Sequence, residues 1–134
     1  MLDCLILGDS IAYGISNIRT ECTSYVQSGI NSRDWNLRWL HTIKQAKTVI
    51  ISLGTNDLSN IDTYEELSQL RDTIKAENVY WVMPSIKPDV QKAVWMISVR
   101  YLDKVISTES LTGDNIHPTY SGYNELAKQT INSQ

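Results

Sequence analysis

Gly8-Asp9-Ser10 lies near the start of the chain, and Asp114-Asn115-Ile116-His117-Pro118 near its end. A serine hydroxyl is a weak nucleophile until a base removes its proton, and neutral imidazole is the side chain suited to that task near pH 7. The chain has two histidines, His41 and His117. His41 sits among charged and aromatic residues of an expected helix and reads as surface or packing. His117 precedes a proline that stops one element and starts the next. Asp114, three residues before it, can orient the ring and stabilise its cationic form. Asp57, expected at the end of a strand, is the rival for that role. Asp9 is too close to Ser10 in sequence to serve it. Read singly, each residue has a plainer explanation: Ser10 a helix cap, Asp114 a turn former, His117 a surface imidazole.

Attack on an ester carbonyl produces an oxyanion, which needs fixed hydrogen-bond donors. Three are candidates: the backbone N–H of Ser10, the backbone N–H of Gly29 and the side-chain amide of Asn56. Asn31 is a weaker candidate for the corner near Gly29. Alone, Asn56 would be an Asx-turn residue and Gly29 a position needing positive φ.

The elements that would carry these residues alternate. Leu2 to Leu7 is a continuous apolar run suited to a strand buried on both faces. A short helix from Ser10 or Ile11 to Ile18 follows, then a strand over Thr23 to Gln27. Asn31 to Ile43 has Trp35, Trp39, Leu40 and Ile43 at helical spacing. Thr48 to Leu53 is a β-branched strand stopped by Gly54. Asp62 and Glu65 form a capping box for a helix with Tyr64, Leu67, Leu70 and Ile74 inward. Val79 to Met83 is the next strand. Pro88 opens a helix with Val90, Val94, Ile97 and Tyr101 on its apolar side. Leu102 to Ser107 reads equally as the end of that helix or as a fifth strand. The last helix starts near Thr119, with Tyr120, Tyr123, Leu126, Ala127 and Ile131 on one side. Such alternation implies a parallel sheet with helices on both faces and the reactive groups at the carboxyl ends of the strands.

With 134 residues and a net charge of -3, the chain is expected to form one domain over residues 1–134. It has no basic patch for nucleic acid. No stretch is long and apolar enough for insertion across a membrane, and Met1 onward lacks the basic start of a signal peptide. The location expected is the cytoplasm, or outside the cell if a leader has been removed. Cys4 and Cys22 have no metal-ligand spacing. They could lie on neighbouring strands, and the reading favoured here is two free thiols. No metal and no cofactor is expected: the chain lacks the glycine fingerprints of nucleotide and flavin domains, and its two histidines are too few for a metal site.

Ser10 in Gly-Asp-Ser, Gly29, Asn56 in Gly54-Thr55-Asn56-Asp57, and Asp114-x-x-His117 occur in the order of the four blocks of the SGNH hydrolase superfamily, the GDSL esterases and lipases, which the chain resembles from about Leu5 to His117. Ile11 stands where the family name has leucine, and the second block is thin. The resemblance implies a flavodoxin-like three-layer α/β/α sandwich with a five-stranded parallel sheet. It implies Ser10 as nucleophile, His117 as base and Asp114 as orienting acid, with Ser10, Gly29 and Asn56 as the oxyanion hole. The substrate implied is a small-molecule or carbohydrate ester. A chain this short leaves little room for a lid, so short acyl groups such as acetyl are expected. Tyr13, Trp35, Met83 and Tyr120 are candidate walls, although core or helix packing is the plainer reading of each. The competing readings are a non-catalytic ligand-binding module on the same fold and a broader lipase or thioesterase.

Overall fold

The computed structural model describes residues 1–43, 45–108, 114 and 116–131. Five strands and five helices alternate: β1 (Leu2–Gly8), α1 (Ser10–Ser16), β2 (Thr23–Val26), α2 (Ser32–Trp39), β3 (Ala46–Ser52), α3 (Thr63–Thr73), β4 (Asn78–Met83), α4 (Pro88–Tyr101), β5 (Lys104–Ser107) and α5 (Tyr120–Gln129). All neighbouring strands pair in parallel, in the order β2-β1-β3-β4-β5. This is the flavodoxin-like order, in which the crevice for ligands opens where the winding reverses, between the carboxyl ends of β1 and β3.

Period-two alternation divides the sheet into two cores. Leu5, Leu7, Val49, Ile51, Val79 and Trp81 point to one face, where they meet Trp35 of α2, Leu67 and Leu70 of α3, and Val94 and Ile97 of α4. Ile6, Ile50, Tyr80, Val82 and Ile106 point to the other, against Ile11, Ala12 and Ile15 of α1 and Leu126 and Ala127 of α5. The central strands are apolar without a break because both faces are covered.

Most element boundaries follow the sequence reading. Asp62 accepts from the Glu65 N–H at 3.1 Å, as a cap should. The ambiguity after α4 resolves into a strand, because Leu102 takes a left-handed conformation (φ 57°) and ends the helix. α1 and α2 are shorter than expected and end in turns. Tyr120, at the start of α5, is 83% exposed and Ile131, beyond its end, 56%, so neither belongs to the inner side; Leu126 and Ala127 carry the packing.

The expectation of free thiols is wrong. Cys4 and Cys22 are joined in a disulfide with a Cα–Cα distance of 4.9 Å. The cause is register. Leu5 pairs with Thr23 across β1 and β2, which brings the two preceding residues side by side.

Candidate active site

β1 can turn into α1 only over a glycine. Gly8 has φ 143°, and a Cβ there would lie 1.9 Å from the Ser52 carbonyl oxygen of β3. Asp9 follows as the helix cap and accepts from the Ile11 N–H at 3.1 Å. The Ser52 hydroxyl donates to the same Asp9 oxygen at 3.0 Å, tying the cap to β3. Asp9 is 1% exposed, and its second oxygen has no partner. Burial therefore pushes its carboxyl up to about 6, against the opposing pull of the Ser52 and backbone hydrogen bonds. Because Asp9 is the cap, Ser10 is the first residue of α1 and its hydroxyl is free to point outward.

That hydroxyl meets His117. Ser10 Oγ lies 2.9 Å from His117 Nε2, across 107 positions of sequence. Behind the ring, His117 Nδ1 is 3.0 Å from Asp114 Oδ2. Asp114 Oδ1 accepts the backbone N–H groups of Ile116 and His117. These bonds, led by the His117 N–H and its ring and followed by the Ile116 N–H, hold the Asp114 carboxyl well below the usual carboxylate range. Asp114 is thus ionised at neutral pH and places the ring proton on Nδ1, leaving Nε2 to accept from serine.

The loop is anchored just beyond His117. Pro118 is buried. Thr119 caps α5 by accepting from the Gly122 N–H at 3.1 Å. α5 then lies directly on α1: a Cβ on Gly14 would fall 2.2 Å from the Tyr123 ring. The close approach of these two helices brings the two ends of the chain together. The Tyr123 phenol is shifted up by burial and by the charges of Asp9 and Asp114.

Asp57 does not serve the histidine. Its Oδ1 accepts the Ser32 N–H at 2.8 Å, and its Oδ2 accepts the hydroxyls of Ser32 (2.6 Å) and Thr63 (2.7 Å). It fastens the starts of α2 and α3 beneath the Asn56 turn. His41 is exposed beyond α2. Asn31 caps α2, accepting from Asp34 N–H at 2.7 Å. Asn56 Nδ2 donates one hydrogen to the Ile30 carbonyl at 3.1 Å and keeps a second. Gly29 sits at φ 80° in the turn between β2 and α2. Among the described residues, the N–H groups of Gly29 and Ser10 donate to no protein acceptor.

Of the candidate walls, Trp35 is fully buried and belongs to the core, its Nε1 donating to the Tyr25 carbonyl. Tyr13 and Tyr120 are exposed and Met83 is half-buried. A cavity of about 510 Å³ lies at the opposite end of the sheet, beside Cys4, Thr48 and Asn78. Another of about 450 Å³ lies on the same rim as Asn56, between Leu58 and the start of α4. Neither is lined by Ser10 or His117.

No family model and no curated protein matches the sequence. Solved structures match the fold. A GDSL-like lipase from Bacteroides thetaiotaomicron superposes with a TM-score of 0.69 at 15% identity, over 95% of this chain and 84% of that one. A putative acylhydrolase from Bacteroides fragilis gives 0.70 at 15% identity, over 95% and 83%. The C-terminal catalytic domain of peptidoglycan O-acetyltransferase A from Streptococcus pneumoniae, carrying a methylsulfonyl adduct, gives 0.65 at 14% identity, over 94% and 88%. This chain has the GDSL-hydrolase fold.

Within that GDSL fold, sequence reasoning missed three supports of the site. Ser52 reads as one more residue of a buried strand, and nothing in its type signals a bond to Asp9. The Asp57 clamp was legible only as a carboxylate at a strand end, with its partners 25 and 6 positions away. The signal for the Gly14–Tyr123 contact was a lone glycine inside a helical pattern, which points to a close approach.

Proposed function

We propose that this chain is a serine esterase acting on short-chain carboxylic esters through an acyl-enzyme. The observation that carries the reading is the 2.9 Å contact between Ser10 Oγ and His117 Nε2, with Asp114 behind the ring. As Oγ bonds to the ester carbonyl carbon, His117 Nε2 takes its proton. The carbonyl oxygen becomes an oxyanion and accepts from the N–H groups of Ser10 and Gly29 and from the Asn56 amide. The bond to the alcohol then breaks, and the imidazolium returns the proton to the departing oxygen. Water repeats the sequence on the acyl group: His117 removes its proton, the carboxylic acid leaves, and Ser10 regains its hydrogen. Asp114 stays ionised throughout and stabilises the imidazolium. None of these steps needs a cofactor.

The substrate class we favour is an O-acetyl group on carbohydrate. Neither of the two cavities described above is lined by Ser10, which fits a small acyl group better than a long chain. One structural neighbour is by name a peptidoglycan O-acetyltransferase. The Cys4–Cys22 disulfide favours an exported protein over a cytoplasmic one, because such bonds persist in oxidising compartments.

A fluorophosphonate probe should label the native protein and not Ser10→Ala, with circular dichroism unchanged. An unlabelled native protein would leave the non-catalytic binding module standing instead. Hydrolysis of p-nitrophenyl esters should be fastest for acetate; faster turnover of octanoate would move the reading toward a lipase or thioesterase.

A further inference from the structure

Asn56 is carried on the turn Gly54-Thr55-Asn56-Asp57 that follows β3, and the Asp57 N–H closes this turn by donating to the Gly54 carbonyl at 2.9 Å. The turn is tied on two sides. The Asn56 amide holds the Ile30 carbonyl, and the Asp57 carboxylate holds the starts of α2 and α3. α4 supplies a third tie. Gly54 is pressed on its first turn, where a Cβ would fall 2.5 Å from Val90 Cγ1. Further out the two segments part, and the cavity of about 450 Å³ opens between Leu58 and Ile61 on one side and Pro88 and Asp89 on the other. Lys87, which also lines this cavity, bridges the two segments. Its Nζ donates to the Asp57 carbonyl at 2.8 Å, 30 positions away in sequence.

Two details set this bridge apart from an ordinary surface contact. Lys87 has φ 65°, a left-handed conformation uncommon for a residue other than glycine, and it gives no side-chain cap to the helix it precedes. Such conformations persist only where the surroundings fix them, and they gather at functional sites. The ammonium also takes a backbone carbonyl although acids stand close by. Among the described residues it forms no ion pair, Asp89 two positions on included, and both Asp57 carboxylate oxygens are engaged by Ser32 and Thr63. A hydrogen bond from a charged donor is stronger than one between neutral groups, and this one holds the residue next to Asn56 by its backbone. We infer that Lys87 is a positioning residue for Asn56: its bond to the Asp57 carbonyl sets the turn where the Asn56 amide meets the developing oxyanion. This rests on the esterase reading of Ser10, His117 and Asn56. An oxyanion donor lowers the barrier because it is in place before charge develops, so a turn free to move would lose part of that gain. Lys87 acts through the turn and not on the ester.

Lys87→Met in the full chain keeps most of the side-chain stem and removes the donor. On p-nitrophenyl acetate it should lower kcat about tenfold with KM unchanged, short of the ~10²-fold that a full ångström of misplacement can cost. In an Asn56→Ala background the same substitution should cost nothing further, because the group it positions is gone. Asp57→Asn leaves the carbonyl that Lys87 holds, so it is the control for a purely structural effect: the urea midpoint falls and kcat stays. Lys87→Gly suits a positive φ, so it should stay folded and show the same loss of kcat even if Lys87→Met does not fold. The inference is overturned if either variant, folded, keeps full kcat, or if removing the ammonium costs as much without Asn56 as with it. A native protein that turns over no ester would bring down the esterase reading itself, and this inference with it; full native turnover with an indifferent Lys87 would bring down the inference alone.

Discussion

Ser10 and His117 face each other across 2.9 Å, yet they stand on different ground. Asp9, beside the serine, is 1% exposed and bonded to β3, in the middle of the sheet. Asp114, behind the imidazole, has 60% of its side chain exposed, and the His117 side chain is 44% exposed. The serine is positioned by the core: a strand end, a glycine pressed on Ser52 and a buried cap. The histidine is positioned by a local turn that closes its own hydrogen bonds within four residues and is then docked through α5. The proposed catalytic pair is thus unequal in burial, each partner being fixed by its own neighbours.

The largest test breaks the pair. If the two regions act as one device, Ser10→Ala and His117→Ala should each lower kcat by about 10⁶, and the double variant should be no worse. Additive losses, read from initial rates on p-nitrophenyl acetate, would mean that the two groups act separately. An equal loss from His41→Ala would show that another imidazole is involved.

A smaller effect separates the exposed carboxylate from the buried ones. Asp114→Asn should lower kcat by less than the ~10⁴ that a buried triad aspartate supplies, because water can replace part of its role. Asp57→Asn should leave kcat of the folded protein in place while lowering the urea midpoint, since three hydrogen bonds converge on that carboxylate. The reverse pattern would exchange their roles.

Stability should divide along the same line. The disulfide closes a loop on the β1–β2 side only, so Cys4→Ser/Cys22→Ser should cost about 3 kcal/mol in urea unfolding with activity retained. Loss of activity at full folding would tie the β2 edge to the chemistry.

The finest test uses pH. Asp9 titrates near 6 in the folded state, above the ~3.9 of an unfolded aspartate, so the folded state holds an extra proton between those values. Its contribution is fully present below about pH 4 and is lost as pH rises through 6, a swing of about 2–3 kcal/mol. Asp114 runs the other way: its carboxyl is lowered, so its contribution is present above the unfolded value and lost on acidification. Asp9→Asn keeps a capping oxygen and should flatten the change between pH 7 and 5 in urea titrations. A slope that survives would assign the titration elsewhere.

The asymmetry also explains what the sequence could disclose. The histidine turn is local, so Asp114-x-x-His117-Pro118 could be read directly from spacing. The strands were legible because burial on both faces leaves an unbroken apolar run. The support of the serine was not, since Ser52 reaches Asp9 only through the parallel register of β1 and β3, nor was the Asp57 clamp, whose partners at the starts of α2 and α3 meet only in the folded chain. Register likewise hid the disulfide: Cys4 and Cys22 are adjacent only once β1 pairs with β2 at Leu5 and Thr23. Tyr120 shows the limit of helical periodicity, which marks a stripe without saying how far the neighbouring layer extends, whereas Trp35 is buried as its spacing implies.

The 107-residue gap between the paired oxygen and nitrogen has a bearing on synthesis. While the ribosome is still translating α4, the emerging polypeptide already contains its alcohol but no partner to deprotonate it. A stop codon between β5 and position 117 would leave every strand encoded and the proposed base absent. On the proposed reading, the pair is complete only once the segment that follows β5 has been translated.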